Sequence, residues 1–263
     1  MDDVLGDKIK RWELQSTYRK AFPGQPFVVR MDGRSFHTFT KGLKRPYDEN
    51  FSKAIIETTR MLVDEFGAKA AYTQSDEITL YFYNKDDKSE YIFGGRFQKI
   101  ESIFAAKGSV YFNQLIQQLL PHKANLCPVL DCRAFAVPTL DSVYEVFYWR
   151  QEDAKKNAIS MAAQSNFSHK FLQGKHSKEM IDMMYEKGII FQDYPSFFRR
   201  GTFLIPEKRE LTLTEEQLSK IPEKYRSEAK TCIRTVIEEK DYNLPRIFTW
   251  ENEPEFYSKI HGK

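Results

Sequence analysis

Hydrophobic and polar residues alternate with two different periods in the first half of the chain. The run PFVVRM at 26–31 is rich in β-formers, begins at a proline and is followed by Asp32-Gly33, which is typical of a strand that ends in a turn. Over residues 51–66 the apolar side chains recur every three or four positions, and Gly67 follows them. This spacing predicts an amphipathic helix that ends at Gly67 and is capped at its start by Asn50.

The same alternation continues to residue 138. Two short runs rich in β-branched and aromatic residues, AAYT and ITLYFY, are joined by QSDE, which predicts a hairpin. Residues 95–119 return to helical spacing, and PVLDCRAFAVP predicts a strand between two prolines. The order β-α-β-β-α-β is the split βαβ arrangement, so we expect an α+β protein with a ferredoxin-like core.

This topology predicts that two acidic turns meet. Strands one and three lie side by side at the centre of such a sheet, because both crossovers are right-handed. Asp32 then lies beside the turn that carries Asp76 and Glu77. Asp-Gly and Ser-Asp-Glu are also simply favourable turn sequences. Three acids together without a cation would repel one another, however, and two Asp beside a backbone carbonyl form a cradle for divalent metals.

The chain after residue 139 shows mainly helical spacing. One helix carries Arg150, Asp153 and Asn157 on a single face, and a second lies near 174–188 with a methionine stripe typical of a core. A charged region begins at 206 and contains a last helix that ends at DYNLPRIF. We therefore expect a catalytic core with an N-terminal helix at 1–139, and a helical and C-terminal region at 140–263 packed on it.

Composition restricts the compartment and the chemistry. The chain has 263 residues, 41% of them hydrophobic, and three cysteines, an odd number that lacks the second pair of a zinc site. No apolar run resembles a signal peptide or a membrane span. These features predict reduced thiols and an intracellular protein with no membrane partner, in the cytoplasm first, with a mitochondrial location left open. The net charge of +3 is small, but basic residues are concentrated at 41–45, 155–156, 170–178 and 199–200, which permits contact with phosphates.

Six motifs resemble one family in their order and spacing. They are RMDGRSFHTF at 30–39, Arg45-Pro46 with Asp48, TQSDEITLYF at 73–82, Arg96-x-x-Lys99-x-x-Ser102, DCRAFAVPT at 131–139 and RQEDAKKN at 150–157. This set resembles the tRNA-histidine guanylyltransferases and their guanylyltransferase-like relatives, the 3′-to-5′ RNA polymerases. The resemblance covers most of the chain.

The resemblance implies a polymerase-palm-type core that adds nucleotides to the 5′ end of tRNA or tRNA-like RNA. Asp32, the carbonyl of Gly33 and Asp76 would bind two Mg²⁺, with Glu77 as a third catalytic residue just outside them. ATP, GTP or other nucleoside triphosphates would be substrates, and the protein would be a homotetramer. The nucleotide would be held by Asp32, Gly33, Arg34, Ser35, Phe36, His37, Arg45, Ser75, Asp76, Arg96, Lys99 and Ser102. By spacing alone, Arg96 and Lys99 are the exposed side of a helix.

The implied chemistry consists of displacements at phosphorus, which metal ions assist. A 5′-monophosphate on the RNA attacks ATP to give an adenylylated end, and the 3′-hydroxyl of a nucleotide then displaces AMP. Removal of pyrophosphate from the new triphosphate end can follow.

One segment departs from the eukaryotic pattern. Members that add guanosine to histidine tRNA carry the run His-Ile-Asn-Asn-Leu-Tyr-Asn, where this chain has residues 155–161 with Lys155 at the histidine position. This favours templated repair of 5′-truncated tRNA, with untemplated guanosine addition as the alternative. Asp153, Lys155 and Asn157 are candidates to contact the RNA 5′ end, and further phosphate contacts are expected from Lys170, Lys175, Arg199 and Arg200.

Two other interpretations remain. A nucleotide cyclase would share the palm topology but carries Gly-Gly before its hairpin acids, where this chain has Gln74-Ser75. A non-catalytic tRNA-binding module would have no reason to keep Asp32, Asp76 and Glu77 together.

Overall fold

A six-stranded antiparallel sheet forms the centre of the protein. The computed structural model describes residues 4–86, 89–223, 231–247 and 252–262. Along the sheet the strands follow the order β4-β1-β3-β2-β5-β6. The strands are β1 (Phe27–Gly33), β2 (Ala70–Gln74), β3 (Glu77–Phe82), β4 (Leu130–Ala136), β5 (Thr202–Thr212) and β6 (Thr231–Lys240).

Helices cover both faces of this sheet. The longest are the helices at 49–66, 97–119 and 140–164, and four of the shorter ones contact the last of these. In chain order they are α1 (Val4–Thr17), α2 (Phe36–Phe39), α3 (Glu49–Phe66), α4 (Phe97–Leu119), α5 (Leu140–Gln164), α6 (His169–Leu172), α7 (Ser177–Glu186), α8 (Ser196–Arg200), α9 (Glu215–Ser219) and α10 (Glu255–His261).

The first four strands confirm the ferredoxin-like prediction. Their spatial order, β4-β1-β3-β2, is the one that the split βαβ arrangement requires. β1 lies between β3 and β4, and in register Met31 faces Ile78 while Asp32 faces Asp131. The pairing on both sides places the end of β1 beside the start of β3.

The two faces of β1 have different surroundings. Its odd-numbered residues Phe27, Val29 and Met31 are fully buried in the core formed with α3 and α4. On the other face, Val28 packs in a second core with residues of α5 and α10. Arg30 and Asp32 share the face of Val28 but keep partial exposure. The acidic end of the sheet therefore opens to solvent on one side only.

The N-cap of the helix at 49–66 lies two residues earlier than predicted. The N-cap is Asp48, not Asn50, and its carboxylate accepts a hydrogen bond of 3.1 Å from the backbone N–H of Phe51. Asn50 lies inside the first turn. Gly67 ends the helix in the left-handed conformation, as predicted.

The interpretation of the C-terminal region as helical was wrong for its central part. Residues 231–240, expected to belong to a last helix, form β6, which pairs with β5 along its full length. β5 pairs with β2 through Thr202 to Leu204, so this hairpin extends the core sheet. The outer part of the hairpin carries runs of charged residues at 207–210 and 238–240 and is largely exposed, so it lacks the apolar stripe at every third or fourth position that an amphipathic helix requires.

Two other sequence features have a clear place. Met184 of α7 is fully buried in a third core with α5, and Met180 and Ile181 pack against it, which confirms the methionine stripe as core. All three cysteine thiols are free. None of the described helices combines the length and the apolar character that crossing a membrane requires.

A buried glutamine joins α5 to the end of α8 and to the segment that follows β6. The Gln151 side chain, 0% exposed, donates to the backbone carbonyls of Arg200 and Tyr242, at 3.1 and 2.8 Å, and accepts from the N–H of Leu244 at 2.8 Å. The nitrogen and the oxygen of the Gln151 amide therefore both have backbone partners. These hydrogen bonds hold α5 in one position relative to α8 and to the segment after β6.

Replacing Gln151 with leucine should destabilise the protein by about 3 kcal/mol, because three buried backbone groups lose their partner. Urea unfolding followed by circular dichroism measures this loss. The matched control is Gln117→Leu at an exposed position of α4, for which a change within about 0.5 kcal/mol is expected. Equal effects of the two substitutions would contradict the structural role of Gln151.

Candidate active site

The two acidic turns predicted to meet lie at one edge of the sheet. Asp32 is the sixth residue of β1, and Asp76 occupies the turn between β2 and β3. The backbone N–H of Gly33 reaches the carboxylate of Asp76 and acts to lower its pKa. Residues 44 positions apart in sequence are therefore neighbours, as the topology required.

Each of the two aspartates lies near a residue with an unusual backbone conformation. Ser35 follows Asp32 in the chain, and Ser75 precedes Asp76. Ser35 and Ser75 have φ angles of 57° and 54°, in the left-handed region that residues with a side chain seldom adopt. At Gly33, a Cβ atom would lie 2.2 Å from the ring of Phe36, so only glycine fits there. The chain around the two carboxylates is thus held in one shape by packing.

Burial makes the charge of both carboxylates unfavourable. It is the main reason that the pKa of Asp76 is raised, and the neighbouring charge of Glu77 raises it further. The pKa of Asp32 is raised by burial first, and then by its hydrogen bond with Asp131, which faces it across β1 and β4. A divalent cation would offset these charges. Two carboxylates and the carbonyl of Gly33 are hard oxygen donors, which fit Mg²⁺.

An arginine that the sequence did not single out lies against Asp32. The guanidinium of Arg133 is 3.0 Å from Oδ1 of Asp32 and 3.3 Å from Oδ1 of Asp131. Its side chain is half exposed. The motif DCRAFAVPT contains this residue, but only the register between β1 and β4 reveals its partner. A protein cation therefore already neutralises part of the acidic edge.

Glu77 has two arginine partners, although its charge also raises the pKa of the neighbouring Asp76. The Glu77 carboxylate lies 2.7 Å from Nη1 of Arg150 and 3.4 Å from Nη2 of Arg30. Within the described ranges, no three His, Cys, Asp or Glu side chains converge on a possible metal position. Metal binding by Asp32, the carbonyl of Gly33 and Asp76 stays a prediction, as does the supporting role of Glu77.

Arg150 connects Glu77 to helix α5. It is only 4% exposed, and its second nitrogen, Nη2, lies 3.1 Å from Asp153, which confirms that Arg150 and Asp153 share a face. The guanidinium also lies over the indole ring of Trp149, 3.7 Å from its centre. Lys155 pairs with Glu152 at 2.7 Å, and Asn157 is exposed. Contact of Asp153, Lys155 and Asn157 with RNA stays a prediction.

A cavity of about 450 Å³ adjoins Ser75, on the turn that carries Asp76. Its volume lies in the range typical of small-molecule sites. Three of the predicted nucleotide-binding residues, His37, Arg45 and Ser75, line it. The other lining residues include Lys41 and Lys44 of the basic run at 41–45, Asp48 of the Arg45-Pro46 motif, and the aromatic Tyr47, Phe197 and Phe198. Sequence reasoning missed the three aromatic residues, and only the fold brings Phe197 and Phe198 of α8 to the segment at 41–48.

The remaining predicted nucleotide-binding residues are distributed differently. The side chain of Phe36 is buried among Phe39, Phe51 and Phe112, so it belongs to the core. Arg34 is exposed, and its backbone N–H donates to Val129 at 3.0 Å.

Arg96, Lys99 and Ser102 line a second cavity, of about 690 Å³. The helix that carries them begins beside Phe27, whose ring contacts Phe97. Phe27 is five residues from Asp32 along β1, which corresponds to about 16 Å. The structure therefore does not bring these three residues into the cavity beside Ser75, and their contact with a nucleotide stays a prediction.

Three of the four basic residues expected to contact phosphates have protein partners. Arg200 makes two hydrogen bonds of 2.6 Å to the carboxylate of Asp241, and Nε of Arg199 donates to the carbonyl of Tyr194. Lys175 pairs with Glu179, while Lys170 is exposed. At least Arg199 and Arg200 hold the fold around α8 together.

The pair formed by Arg150 and Glu77 should stabilise the protein more than a surface pair. We expect a coupling energy of about 2 kcal/mol in a double-mutant cycle of Arg150→Met and Glu77→Gln, because the arginine is buried. Urea unfolding of the four proteins measures it. The control cycle uses the exposed pair Lys220 and Glu216, where the coupling should stay below about 0.5 kcal/mol. Equal couplings in the two cycles would refute this ranking.

Asp76→Asn should make the protein more stable at neutral pH. Because the folded-state pKa of Asp76 lies above its ordinary value of 3.8, ionisation of this group destabilises the fold as the pH rises past 3.8. Asparagine has no such penalty, so the advantage of the variant should be full above the folded-state pKa and shrink as the pH falls toward 3.8. Unfolding curves from pH 4.5 to 8 in EDTA test this. Exposed Asp182→Asn is the control, and an advantage that does not depend on pH would contradict the assignment.

Comparison with known proteins places this geometry in context. Two solved structures described as bacterial tRNA(HIS) guanylyltransferase (Thg1)-like proteins are similar to the chain. The one in complex with ATP is 39% identical, has a TM-score of 0.72, and is matched over 77% of this chain and 87% of that one. The one in complex with GTP is 30% identical, with a TM-score of 0.71 and coverage of 92% and 93%.

Similar sequences include a viral protein and a yeast enzyme. An uncharacterized protein of Acanthamoeba polyphaga mimivirus is 28% identical over 82% of this chain and 80% of its own length. The tRNA(His) guanylyltransferase of Saccharomyces cerevisiae is 27% identical over 74% of this chain and 88% of its own. The family model described as tRNAHis guanylyltransferase matches residues 6–138, half of the chain, which include both acidic turns. The chain therefore belongs to the tRNAHis guanylyltransferase family, whose members are nucleotidyltransferases.

Proposed function

We propose that this protein adds nucleotides in the 3′-to-5′ direction to the 5′ end of tRNA or tRNA-like RNA, and that it does so by copying the opposing strand. The observation that carries the proposal is the position of Asp32 and Asp76 at one sheet edge beside a cavity of about 450 Å³. Its support also includes two similar structures, one in complex with ATP and one with GTP.

The acidic edge supplies the metal-binding part of this function. Asp32, the carbonyl of Gly33 and Asp76 would hold two Mg²⁺. When bound, the metal ions neutralise phosphate charge and favour the attacking oxygen. Burial at this edge strengthens that effect, because charges interact more strongly where water is excluded. The raised pKa of both aspartates is the cost that the fold bears when no cation offsets their charges.

The adjoining cavity supplies the nucleotide-binding part. Its aromatic lining of Tyr47, Phe197 and Phe198 suits a base. Lys41, Lys44 and Arg45 line the same cavity and suit the phosphates. Ser75 belongs both to this lining and to the turn of Asp76, so a nucleotide in the cavity would direct its phosphates to the acidic edge.

Two displacements follow from this arrangement. In the first, an oxygen of the RNA 5′-monophosphate forms a bond to the α-phosphorus of ATP, and pyrophosphate leaves. In the second, the 3′-hydroxyl of the incoming nucleotide attacks the RNA 5′ phosphorus, its proton is lost to solvent, and AMP leaves. A covalent protein intermediate is not needed, so the residues serve to position and neutralise the reacting groups.

Copying of the opposing strand is favoured over fixed guanosine addition by the segment at 155–161. Lys155 stands where guanosine-adding relatives have histidine, and it is paired with Glu152 on α5. Untemplated guanosine addition to histidine tRNA is the alternative that the names of the relatives favour. The homotetramer implied by the resemblance is part of the proposal as well.

The decisive assay uses purified protein, Mg²⁺, nucleotides and a tRNA transcript that lacks its first 5′ nucleotide. We expect the added nucleotide to follow the base on the opposing strand when that base is changed. Asp76→Asn should lower the rate at least about 100-fold, because the metal loses a charged ligand. Gel separation of 5′-extended products measures both effects.

The matched control is Asp182→Asn, an exposed substitution on α7, which should leave the rate unchanged. Addition of guanosine whatever the opposing base would replace templated repair by the alternative. An unchanged transcript with wild-type protein, or full activity of Asp76→Asn, would sink the proposed enzyme.

A further inference from the structure

Two adjoining cavities lie at the start of β1, away from the acidic edge. The larger, about 690 Å³, and the smaller, about 310 Å³, are both lined by the segment Tyr18, Arg19 and Lys20. This segment connects α1 to β1. The two cavities differ in chemistry, one being basic and the other aromatic.

The larger cavity, here called the basic cleft, is lined by five cationic side chains and one acidic one. The acid is Glu13; the cations are Lys10, Arg19, Lys20, Arg96 and Lys99. Arg19 is also paired with Glu101, at 3.1 Å. Several like charges around one cavity repel one another unless an anion lies between them. The cleft therefore suits a ligand with more than one negative charge.

Backbone hydrogen bonds hold these cations in place. The N–H of Ala21 donates to the carbonyl of Gly95 and the N–H of Phe97 to that of Arg19, both at 2.9 Å. Between them, Lys20 and Arg96 form an antiparallel bridge. At Gly95 a Cβ atom would lie 2.5 Å from the carbonyl oxygen of Ala21, so the approach requires glycine. The two basic segments are thus fastened together before any ligand binds.

The smaller cavity, here called the aromatic pocket, has exposed rings around an apolar floor. Tyr18 is 69% exposed, Phe22 52% and Phe135 37%. The floor is formed by Phe97, Ala134 and Ala136. Exposed rings beside cations are the combination that single-stranded nucleic acids require, because the bases stack while the phosphates are neutralised. A protein partner would be expected to meet fewer cations at the core of its interface.

We propose that the basic cleft and the aromatic pocket together bind a single-stranded segment of RNA. The phosphates lie in the basic cleft, and a base stacks on Tyr18 and Phe22 in the aromatic pocket. This site is separate from the sheet edge that carries Asp32. It rests on the proposed function in one respect: the single-stranded segment that it binds is the unpaired end of the RNA substrate.

Fluorescence anisotropy with a labelled oligouridine of about eight nucleotides tests the site. Tyr18→Ala and Phe22→Ala should each weaken binding about tenfold through lost stacking. Lys20→Glu should weaken it as well and reduce its dependence on salt, because a phosphate contact is lost. The matched controls are Tyr185→Ala, at a residue of α7 that is 70% exposed, and Lys208→Glu, at an exposed position of β5, which should bind as wild type does. Circular dichroism confirms that every variant is folded.

Several outcomes would overturn the inference. The wild-type protein could fail to bind the oligonucleotide, or Tyr18→Ala and Phe22→Ala could bind it as well as the control variants do. Complete competition by ATP would mean that the site binds nucleotides only. A change of molecular mass in Tyr18→Ala on ultracentrifugation would assign the surface to contact between copies of the chain. Because the assay contains neither Mg²⁺ nor nucleotide, Asp76→Asn should bind normally, so loss of the proposed activity and loss of this site are distinguishable.

Discussion

Pairing of β1 on both sides is the constraint on which the rest of the structure depends. Backbone hydrogen bonds to β3 and β4 fix its register, and this register forces the carboxylates of Asp32 and Asp131 to face each other. Asp76 is brought to the same edge by the turn between β2 and β3. Like charges directly opposite each other are destabilising in a sheet. The ladder and the core beneath it hold the acids where electrostatics alone would separate them.

Arginines offset this charge unevenly. Asp32 and Asp131 share Arg133, and Glu77 lies between Arg30 and Arg150. No ion pair joins Asp76 to any residue in the part of the chain that the structure describes. Burial is the largest cause of the raised pKa of Asp76, as it is for Asp32. The negative charge of Asp76 is therefore not neutralised by an ion pair within the described residues. Asp76 lies next to the carbonyl of Gly33, where the proposed metal ions would bind.

Local patterns predicted the first half of the fold well, and long-range contacts account for what they missed. The order β-α-β-β-α-β could be read because each element has one buried face and its own stop signal, such as Gly67. The hairpin of β5 and β6 was missed because most of its outer residues are exposed on both faces, so no buried stripe marks them. At the site, the meeting of Asp32 and Asp76 followed from topology. Arg133 depends on register, and Phe36 on three-dimensional packing, which the sequence does not display.

Arg133 connects the resting structure to the proposed chemistry. Its guanidinium is bonded to Oδ1 of Asp32, a carboxylate that the proposed metal ions would also need. The side chains of this pair are 51% and 29% exposed, and ion pairs so accessible to water stabilise a protein by no more than about 1 kcal/mol. A divalent cation with two carboxylates and a carbonyl as ligands interacts more strongly with Asp32 than this arginine does. Under the proposed function, metal binding thus releases Arg133 at little cost. The guanidinium then keeps Asp131 as its partner, at 3.3 Å, and so stays on β4 beside the acidic edge, where it can also neutralise the phosphates of a nucleotide or of the RNA end.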